Sequence, residues 1–390
     1  MVADSTNSSS SDGHSSRIHV LGAGAVGLLF AAHLRRLGHP ITLLLRSENL
    51  ADKLARSGGK VTIINDWARL HSAHRQQIKP SEETNAHVVS GVEAEIAKSQ
   101  GGHHTDGMIS NLVLATKAQD TLRAYSTVHH RLDSRSAVVM LQNGMGTYEA
   151  IQRKFYQNPS QDTQMDVSKM PTFIIGTNSH GCLRRHGEDF VTHHTAMAAC
   201  KFAVRPLSYD SICMPPAPAP EILVSLCALP LSGTVVSWPS LQLQLLLKLA
   251  ANAIINPATA LVNSRNECLV RSLTGASEQQ SEDADFMVSV ERYMSLACTE
   301  ISSIYACGYP HLRDELKASA IEKYVMDIAH ATSQNRSSML QDVCAGRRTE
   351  VDWINGYLIR LGEQHGVPTP VNMLLQSLIK LKERAWTLKS

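Results

Sequence analysis

Residues 18–27 read Ile-His-Val-Leu-Gly-Ala-Gly-Ala-Val-Gly, and this stretch decides the fold. Four residues typical of a strand run directly into glycines at positions 22, 24 and 27. A helical apolar pattern follows over residues 28–37, and a second β-prone run covers residues 41–45. A glycine turn between a strand and a helix, within a unit of about 30 residues, is the context in which this motif binds a dinucleotide. The stretch therefore predicts an α/β domain of the Rossmann type.

Each glycine has its own role in such a turn. Gly22 permits the tight bend, Gly24 lets the backbone approach a pyrophosphate, and Gly27 lets helix and strand pack closely. Free N–H groups at the start of the helix then hold the anion. We therefore expect the whole turn to bind the cofactor, through Gly22, Ala23, Gly24, Ala25, Val26 and Gly27. A tight turn without a ligand would not explain three glycines at these offsets.

The end of the second predicted strand indicates which cofactor binds. NAD sites usually place a carboxylate there for the ribose 2′-hydroxyl, whereas this chain has Leu45 and Arg46. An arginine can pair with a 2′-phosphate, so NADP(H) is favoured over NAD(H). The alternative is a solvated surface arginine.

Two later predicted strands end in polar residues. Residues 111–117 end at Lys117, and residues 137–142 lead into Asn143 of the sequence Asn-Gly-Met-Gly-Thr. Ligands of open α/β sheets bind at the carboxyl ends of the strands, so both side chains are candidate ligand contacts. An Asn-Gly pair taken alone is more often a plain turn.

The pattern becomes helical from about residue 240, which places a domain boundary near residues 237–241. We therefore predict a disordered Ser-rich tail (1–16), a dinucleotide-binding domain (17–238) and an all-helical domain (239–390). Helices are expected around residues 289–306, 312–330 and 349–365. A last helix should start at Pro370, with Thr369 as its N-cap.

The first helix of the second half carries a polar stripe. Within residues 245–256, an apolar run that Pro257 is expected to break, Lys248, Asn252 and Asn256 stand four residues apart. This spacing puts them on one side of the helix. Polar groups on a buried helix need partners, so the stripe faces either a polar cleft with a ligand or a hydrogen-bond ladder between helices.

Two more segments of this half carry polar residues out of proportion to their setting. One, residues 337–342, contains Ser338, and the other, residues 347–356, contains Glu350. In a helix, Glu350 would share the apolar face of Ile354 and Leu358, where a carboxylate needs a cation or a substrate. A solvated glutamate in the first turn of a helix is the alternative.

Composition excludes several classes of protein. A net charge of +2 over 390 residues argues against an extended nucleic-acid or membrane surface. No uninterrupted apolar run reaches the roughly 18 residues of a membrane span. The 18 histidines lack the spacing of metal ligands, so no metal site is expected, and the cysteines have no CxxC pair. The N-terminus lacks the features of a leader or transit peptide, so we expect a cytoplasmic rather than a mitochondrial protein.

Together these segments resemble the ketopantoate reductase (2-dehydropantoate 2-reductase) family, the NADPH enzymes of pantothenate synthesis. The matching motifs run in family order from residue 17 to about 376: the glycine turn, Arg46, Lys117, Asn-Gly-Met-Gly-Thr, Lys-x3-Asn-x3-Asn-Pro, Ser-Ser-Met-Leu-Gln-Asp and Arg-x-Thr-Glu-x-Asp-x-Ile-Asn-Gly. The resemblance implies an N-terminal Rossmann domain and an all-α C-terminal domain similar to that of 6-phosphogluconate dehydrogenase. It implies a small 2-keto acid as substrate and leaves a homodimer open.

The resemblance also assigns roles to residues. It makes Lys248 the catalytic acid and Glu350 its carboxylate partner at the substrate. By this resemblance, the keto acid is positioned by Asn143, Asn252, Asn256 and Ser338. NADPH is bound by Arg46 and Lys117, and Asn143 and Glu350 also contact this cofactor. The expected reaction moves a hydride to C2 of the keto acid and a proton from Lys248 to its oxygen, in a cleft that closes by a hinge near residue 240.

Two other functions stay open. One is an NADPH-dependent reductase of another branched 2-keto acid, because nothing in the sequence specifies the pocket for the branched carbon. The other is a catalytically silent NADP-binding regulatory protein, which would have no need for a proton donor such as Lys248. Departures from the family pattern are Asn178 and Ser179 in place of two threonines, loop insertions at 99–107 and 156–168, and a polar stretch at 277–285.

Overall fold

The computed structural model of the chain describes residues 16–67, 86–97, 107–157, 166–207, 220–270 and 280–387. The tail predicted for residues 1–16 lies outside these ranges except for its last residue. Most of the two predicted loop insertions and part of the polar stretch at 277–285 lie outside them as well.

Twelve strands are present in the described residues: β1 Ile18–Leu21, β2 Ile41–Leu45, β3 Val61–Asn65, β4 Ala86–Val89, β5 Glu93–Ile96, β6 Asn111–Leu114, β7 Ala137–Met140, β8 Thr172–Asn178, β9 Gly181–Leu183, β10 Val191–Ala196, β11 Cys200–Val204 and β12 Gly233–Val235. Eight of them form a sheet in the order β12-β11-β8-β7-β6-β1-β2-β5. All neighbours in this sheet are parallel except β8 and β11. The six strands β5-β2-β1-β6-β7-β8 of this sheet follow the strand order of a dinucleotide-binding sheet, in which the order reverses between β1 and β6.

The helices of the first half are α1 Ala25–Arg36, α2 Glu48–Arg56, α3 Ala118–Ser126, α4 Thr147–Phe155 and α5 Glu221–Cys227. Helix α1 contacts strands of the large sheet and also those of a second, four-stranded sheet in the order β4-β3-β10-β9. Residues 27–34 are consequently all buried, without the exposed face of an ordinary surface helix. This second sheet is absent from the sequence-based expectations.

The second half consists of the helices α6 Trp238–Val262, α7 Gln280–Gly308, α8 Ala318–Ala331, α9 Ser338–Cys344, α10 Asn355–His365 and α11 Pro370–Thr387. Helix α6 packs against α7, α8, α9 and α11. The predicted start of the last helix at Pro370 is confirmed. The fold class, an α/β Rossmann-type half followed by an all-helical half, is confirmed. The division at residues 238/239 stays a prediction. We call residues 16–235 the sheet region and residues 238–387 the helical region.

The expectation that Pro257 breaks the polar helix is wrong, because α6 continues through it to Val262. A proline inside a helix leaves the carbonyl four residues earlier without its N–H partner. Here that carbonyl belongs to Ala253, and the side chain of Asn355 donates a hydrogen bond to it at 2.9 Å. The helix therefore tolerates the proline because a distant asparagine replaces the missing donor.

Helix α6 is long and apolar enough to span a membrane by length and composition. However, 61% of its most apolar window is buried inside the protein, which is typical of a core helix. A search for uninterrupted apolar runs misses it because Lys248 and Asn252 interrupt the sequence.

Candidate active site

A small cavity lies between the sheet region and helix α6. Its volume is about 10 Å³, room for roughly one water molecule. The residues that line it are Gln142, Asn143, Gly144, Gly176, Thr177, Leu245, Lys248, Leu249 and Asn252. The sheet contributes the segment after β7 and the end of β8, so the cavity sits at the carboxyl edge where ligands of such sheets bind. Three of the predicted site residues, Lys248, Asn252 and Asn143, meet there.

Lys248 is half-buried in this cavity, and its Nζ donates a hydrogen bond to the carbonyl of Asn178 at 2.8 Å. Burial lowers the pKa of its ammonium group from 10.5 to about 8, because a desolvated cation is disfavoured. The nearby Cys200 thiol and the Glu350 carboxyl oppose this fall in pKa. A lysine with a pKa near neutrality can release its proton to a reacting group.

Glu350 is buried at the junction of the two regions. Its Oε1 accepts a hydrogen bond from the backbone N–H of Ala118 at 2.9 Å, and the side chain of Asn143 also hydrogen-bonds its carboxylate. Burial raises the pKa of Glu350, while Ala118 and the positive charge of Lys117 oppose the rise. The expectation that Glu350 lies on a helix face is wrong. It precedes a short turn, Val351–Trp353, and α10 begins only at Asn355.

The Asn-Gly-Met-Gly loop is held against that same turn. Gly144 has a φ of +80°, and a Cβ at this position would lie 2.5 Å from the carbonyl oxygen of Trp353. The N–H of Met145 donates to that oxygen at 2.9 Å. A glycine is therefore needed at 144 both for its backbone conformation and for this close approach. The contact fixes Asn143 relative to Glu350.

Lys117 forms an ion pair with Asp342 of α9, whose other oxygen accepts from Arg347 Nε at 3.0 Å. Asp342 is buried, and it pairs with two cations, Lys117 of the sheet region and Arg347 of the helical region. Asp342 was not among the predicted site residues, and the available signal was its place in the polar segment 337–342 that contains Ser338. The predicted role of Lys117 at the cofactor stays a prediction.

The other predicted substrate contacts do not line the cavity. Asn256 is buried one turn beyond Asn252 on α6. Ser338 is exposed at the start of α9, and it is Ser337 that is buried, with its hydroxyl accepting from the N–H of Leu340 at 3.0 Å. The structure therefore brings together Lys248, Asn252, Asn143 and Glu350, but leaves Asn256 and Ser338 outside this group.

The glycine turn has the shape that a dinucleotide requires. At Gly22, φ is +111° and a Cβ would lie 2.7 Å from the backbone of Ala115, while at Gly27 it would lie 1.9 Å from the carbonyl oxygen of Gly22. At Gly24, no heavy atom of the described residues other than 23–25 lies within 4 Å of the position that a Cβ would occupy. Two glycines thus serve close packing, and the third leaves open space beside the uncapped start of α1. The turn fits a pyrophosphate.

Arg46 follows β2 directly, and its side chain is exposed. That is the position at which the adenosine ribose is bound in dinucleotide-binding sheets.

Among the described residues no group of three or more His, Cys, Asp or Glu side chains could hold a metal ion.

Family models match both halves of the chain. The model described as ketopantoate reductase PanE/ApbA matches residues 18–206, and its C-terminal counterpart matches residues 240–383. The chain belongs to the ketopantoate reductase family. The predicted family is thereby confirmed, and with it the prediction that the protein is an enzyme, an oxidoreductase.

Similar members of the family cover nearly the whole chain. The 2-dehydropantoate 2-reductase of Vibrio cholerae is 27% identical over 95% of this chain and 99% of its own length. The probable 2-dehydropantoate 2-reductase of Schizosaccharomyces pombe is 25% identical over 93% and 95%.

Solved structures share the fold. A probable 2-dehydropantoate 2-reductase from Bacillus subtilis is 22% identical, with a TM-score of 0.61 over 94% of this chain and 99% of that structure. A D-mandelate dehydrogenase solved with NADH and anilino(oxo)acetate is 17% identical, with a TM-score of 0.66 over 95% and 98%.

Proposed function

We propose that this protein catalyses the NADPH-dependent reduction of 2-dehydropantoate to pantoate. The observation that carries the proposal is Lys248, a lysine with a pKa of about 8 in a cavity that it shares with Asn143 and Asn252. Curated relatives aligned over almost their full length bear the name of this reaction, which supports the same substrate here.

The glycine turn and Arg46 would hold the cofactor, which supplies a hydride to C2 of the keto acid. The residues of the chain then deal with the negative charge that builds on the carbonyl oxygen. Lys248 stabilises this charge with its ammonium group and donates a proton from Nζ. The carboxamides of Asn143 and Asn252 orient the substrate, and closure of the two regions around it excludes water.

Glu350 has two tasks in this mechanism. Its negative charge raises the pKa of Lys248 and so keeps a larger fraction of the lysine protonated near pH 8. Its hydrogen bonds to Ala118 and Asn143 hold the Asn-Gly-Met-Gly loop in place. We further propose that Asn256 and Ser338 reach the substrate when it binds.

The choice of NADPH rests on Arg46, since a guanidinium binds a phosphate by charge-assisted, often bidentate hydrogen bonds. The product would enter pantothenate and coenzyme A synthesis, and we propose a cytoplasmic location. We also propose that the protein forms a homodimer.

The test is a comparison of substrates on purified full-length protein, with NADPH oxidation followed by its near-ultraviolet absorbance. Ketopantoate is compared with 2-ketoisovalerate and pyruvate, each with NADPH and with NADH. We expect rapid oxidation only with ketopantoate and NADPH. Faster oxidation of NADPH with another keto acid would mean that ketopantoate is not the preferred substrate, while the proposed mechanism would still apply. NADPH binding without any turnover would favour the silent regulatory protein.

A further inference from the structure

An arginine that sequence reasoning missed lies against the glycine turn. Arg184 comes directly after β9 of the second sheet, and its Nη1 donates a hydrogen bond to the carbonyl of Ala23 at 3.0 Å. Ala23 stands between Gly22 and Gly24. Nη2 of the same guanidinium donates to the carbonyl of Glu188 at 3.0 Å. Because the second sheet packs on α1, it brings this side chain to the start of that helix.

The charge of Arg184 is poorly neutralised. Both hydrogen-bond partners are uncharged carbonyls, and its one ion pair among the described residues is a long contact of 3.9 Å with Asp189. Asp189 already pairs with Lys53 at 2.7 Å. The Arg184 side chain keeps 36% of its surface exposed. Since an arginine has five N–H donors, it retains donors for a further partner.

A second source of positive potential lies at the same place. Helix α1 starts beside Ala23 with Gly24 as its N-cap, no side-chain cap and no acidic residue in its first turn. The start of a helix carries a partial positive charge and free N–H groups. The open space at Gly24 therefore lies beside the start of this helix. The Arg184 guanidinium is hydrogen-bonded to Ala23, the residue before Gly24.

We propose that Arg184 binds the pyrophosphate of the dinucleotide, with the carbonyl of Ala23 holding the guanidinium at the turn. This inference rests on the proposed cofactor site and adds a residue to it. It separates two arginines by task. Arg46 would recognise the 2′-phosphate, which only NADPH carries, whereas Arg184 would contact the pyrophosphate that NADPH and NADH share.

The experiment is a calorimetric titration of the full-length protein with NADPH, NADH and ADP-ribose. The variants are Arg184→Ala, Arg184→Gln, Arg184→Lys and, as the matched control, Arg185→Ala. Arg185 is the next residue, but it pairs with Asp66 at 3.3 Å. Unchanged melting temperatures would show that the variants fold.

We expect Arg184→Ala to weaken all three ligands about tenfold, the usual effect of losing one charged hydrogen bond. Arg184→Lys should recover part of the affinity, and Arg185→Ala should bind like the wild type. Arg184→Gln keeps a polar side chain with N–H donors but has no charge, so it should bind as poorly as Arg184→Ala.

Three results would overturn the inference: wild-type affinity in Arg184→Ala, full affinity in Arg184→Gln, or a loss confined to NADPH. The second would mean that the charge of Arg184 does not bind the pyrophosphate, and the third would assign Arg184 to the 2′-phosphate. Binding of dinucleotides by a wild-type protein that does not reduce ketopantoate would refute the proposed reaction but leave the role of Arg184 open to this same titration.

Discussion

The ammonium group of Lys248 is bound to the backbone carbonyl of Asn178, at 2.8 Å, across the boundary between the helical and sheet regions. This carbonyl gives the half-buried cation a hydrogen-bond partner, which reduces the penalty of its desolvation. It also aims Nζ at the end of β8, where the cavity lies. This hydrogen bond therefore positions the proposed proton donor and is one of the contacts that join the two regions.

Replacement of Lys248 by alanine should lower kcat by about 10²- to 10⁴-fold, the usual contribution of a general acid. NADPH affinity should change little, because the glycine turn and Arg46 lie at other strand ends. Steady-state kinetics and a fluorescence titration of NADPH measure the two effects. Lys323→Ala, on the exposed face of α8, is the control. A Lys248→Ala enzyme with normal turnover would exclude the proton-donor role.

The rate of reduction should depend on the protonation of Lys248. Since its pKa is about 8 in the folded protein, the ammonium form is lost as the pH rises through 8, and kcat/KM should fall there. A profile of kcat/KM for ketopantoate against pH, from about 6 to about 11.5 at saturating NADPH, measures this. A descending limb near 10.5, the ordinary value for a lysine, would contradict the effect of burial.

Glu350→Gln should move that descending limb to lower pH. The carboxylate of Glu350 raises the pKa of Lys248, so a neutral amide of the same shape removes the support and the pKa falls. The same pH profile gives the result, and Glu363→Gln on the exposed face of α10 is a matched control. An unmoved limb accompanied by lower activity would restrict Glu350 to holding Ala118 and the loop.

Arg46→Ala should weaken NADPH by about 10- to 100-fold and NADH by less than about twofold, since a charged hydrogen bond to phosphate contributes about 1.5–3 kcal/mol. Titration with both cofactors measures the ratio. Arg56→Ala, which removes an exposed arginine at the C-terminal end of the neighbouring helix α2, is the control. Equal losses for both cofactors would mean that Arg46 does not read the 2′-phosphate.

Local patterns predicted those parts of the fold in which each residue contacts its neighbours in sequence. The strand, glycine turn and α1 are such a unit, and so is the stripe of Lys248 and Asn252 on α6. For residues 351–354, the local pattern predicts the wrong structure. Their periodicity suggests a helix through Glu350, yet the chain forms a short turn there because Trp353 meets the Gly144 loop of the other region.

Contacts between distant residues account for the remaining differences. The second sheet pairs β3 with β10 in parallel, and neither strand shows a sequence pattern that reveals its partner. Arg184 reaches the glycine turn only through that sheet. Pro257 remains helical because Asn355 satisfies Ala253, and Lys117 meets Asp342 from 225 residues away. No local rule encodes these pairs, so the sequence identified candidate residues but not their partners.

Glu300, buried on α7, leads to a prediction about stability. Its carboxylate accepts hydrogen bonds from the N–H groups of Val371 and Asn372, at 2.7 and 2.9 Å, and from the Asn372 side chain at 2.7 Å. Asn372 in turn accepts from Asn355 at 2.9 Å, the residue that satisfies Ala253 before Pro257. One carboxylate therefore caps α11 and anchors the chain of contacts that lets α6 continue.

Glu300→Ala should lower the free energy of unfolding by about 2–4 kcal/mol, because buried donors at the start of α11 lose a charged acceptor. Urea denaturation followed by circular dichroism measures the shift in midpoint, and Glu363→Ala on the exposed face of α10 should stay within about 0.5 kcal/mol. Glu300→Gln should fall between, since it keeps one acceptor oxygen but brings its own N–H donors against those of α11. If Glu300→Ala unfolded at the wild-type midpoint, water or another side chain would have to satisfy these donors, and the network would not be what holds α11 to α7.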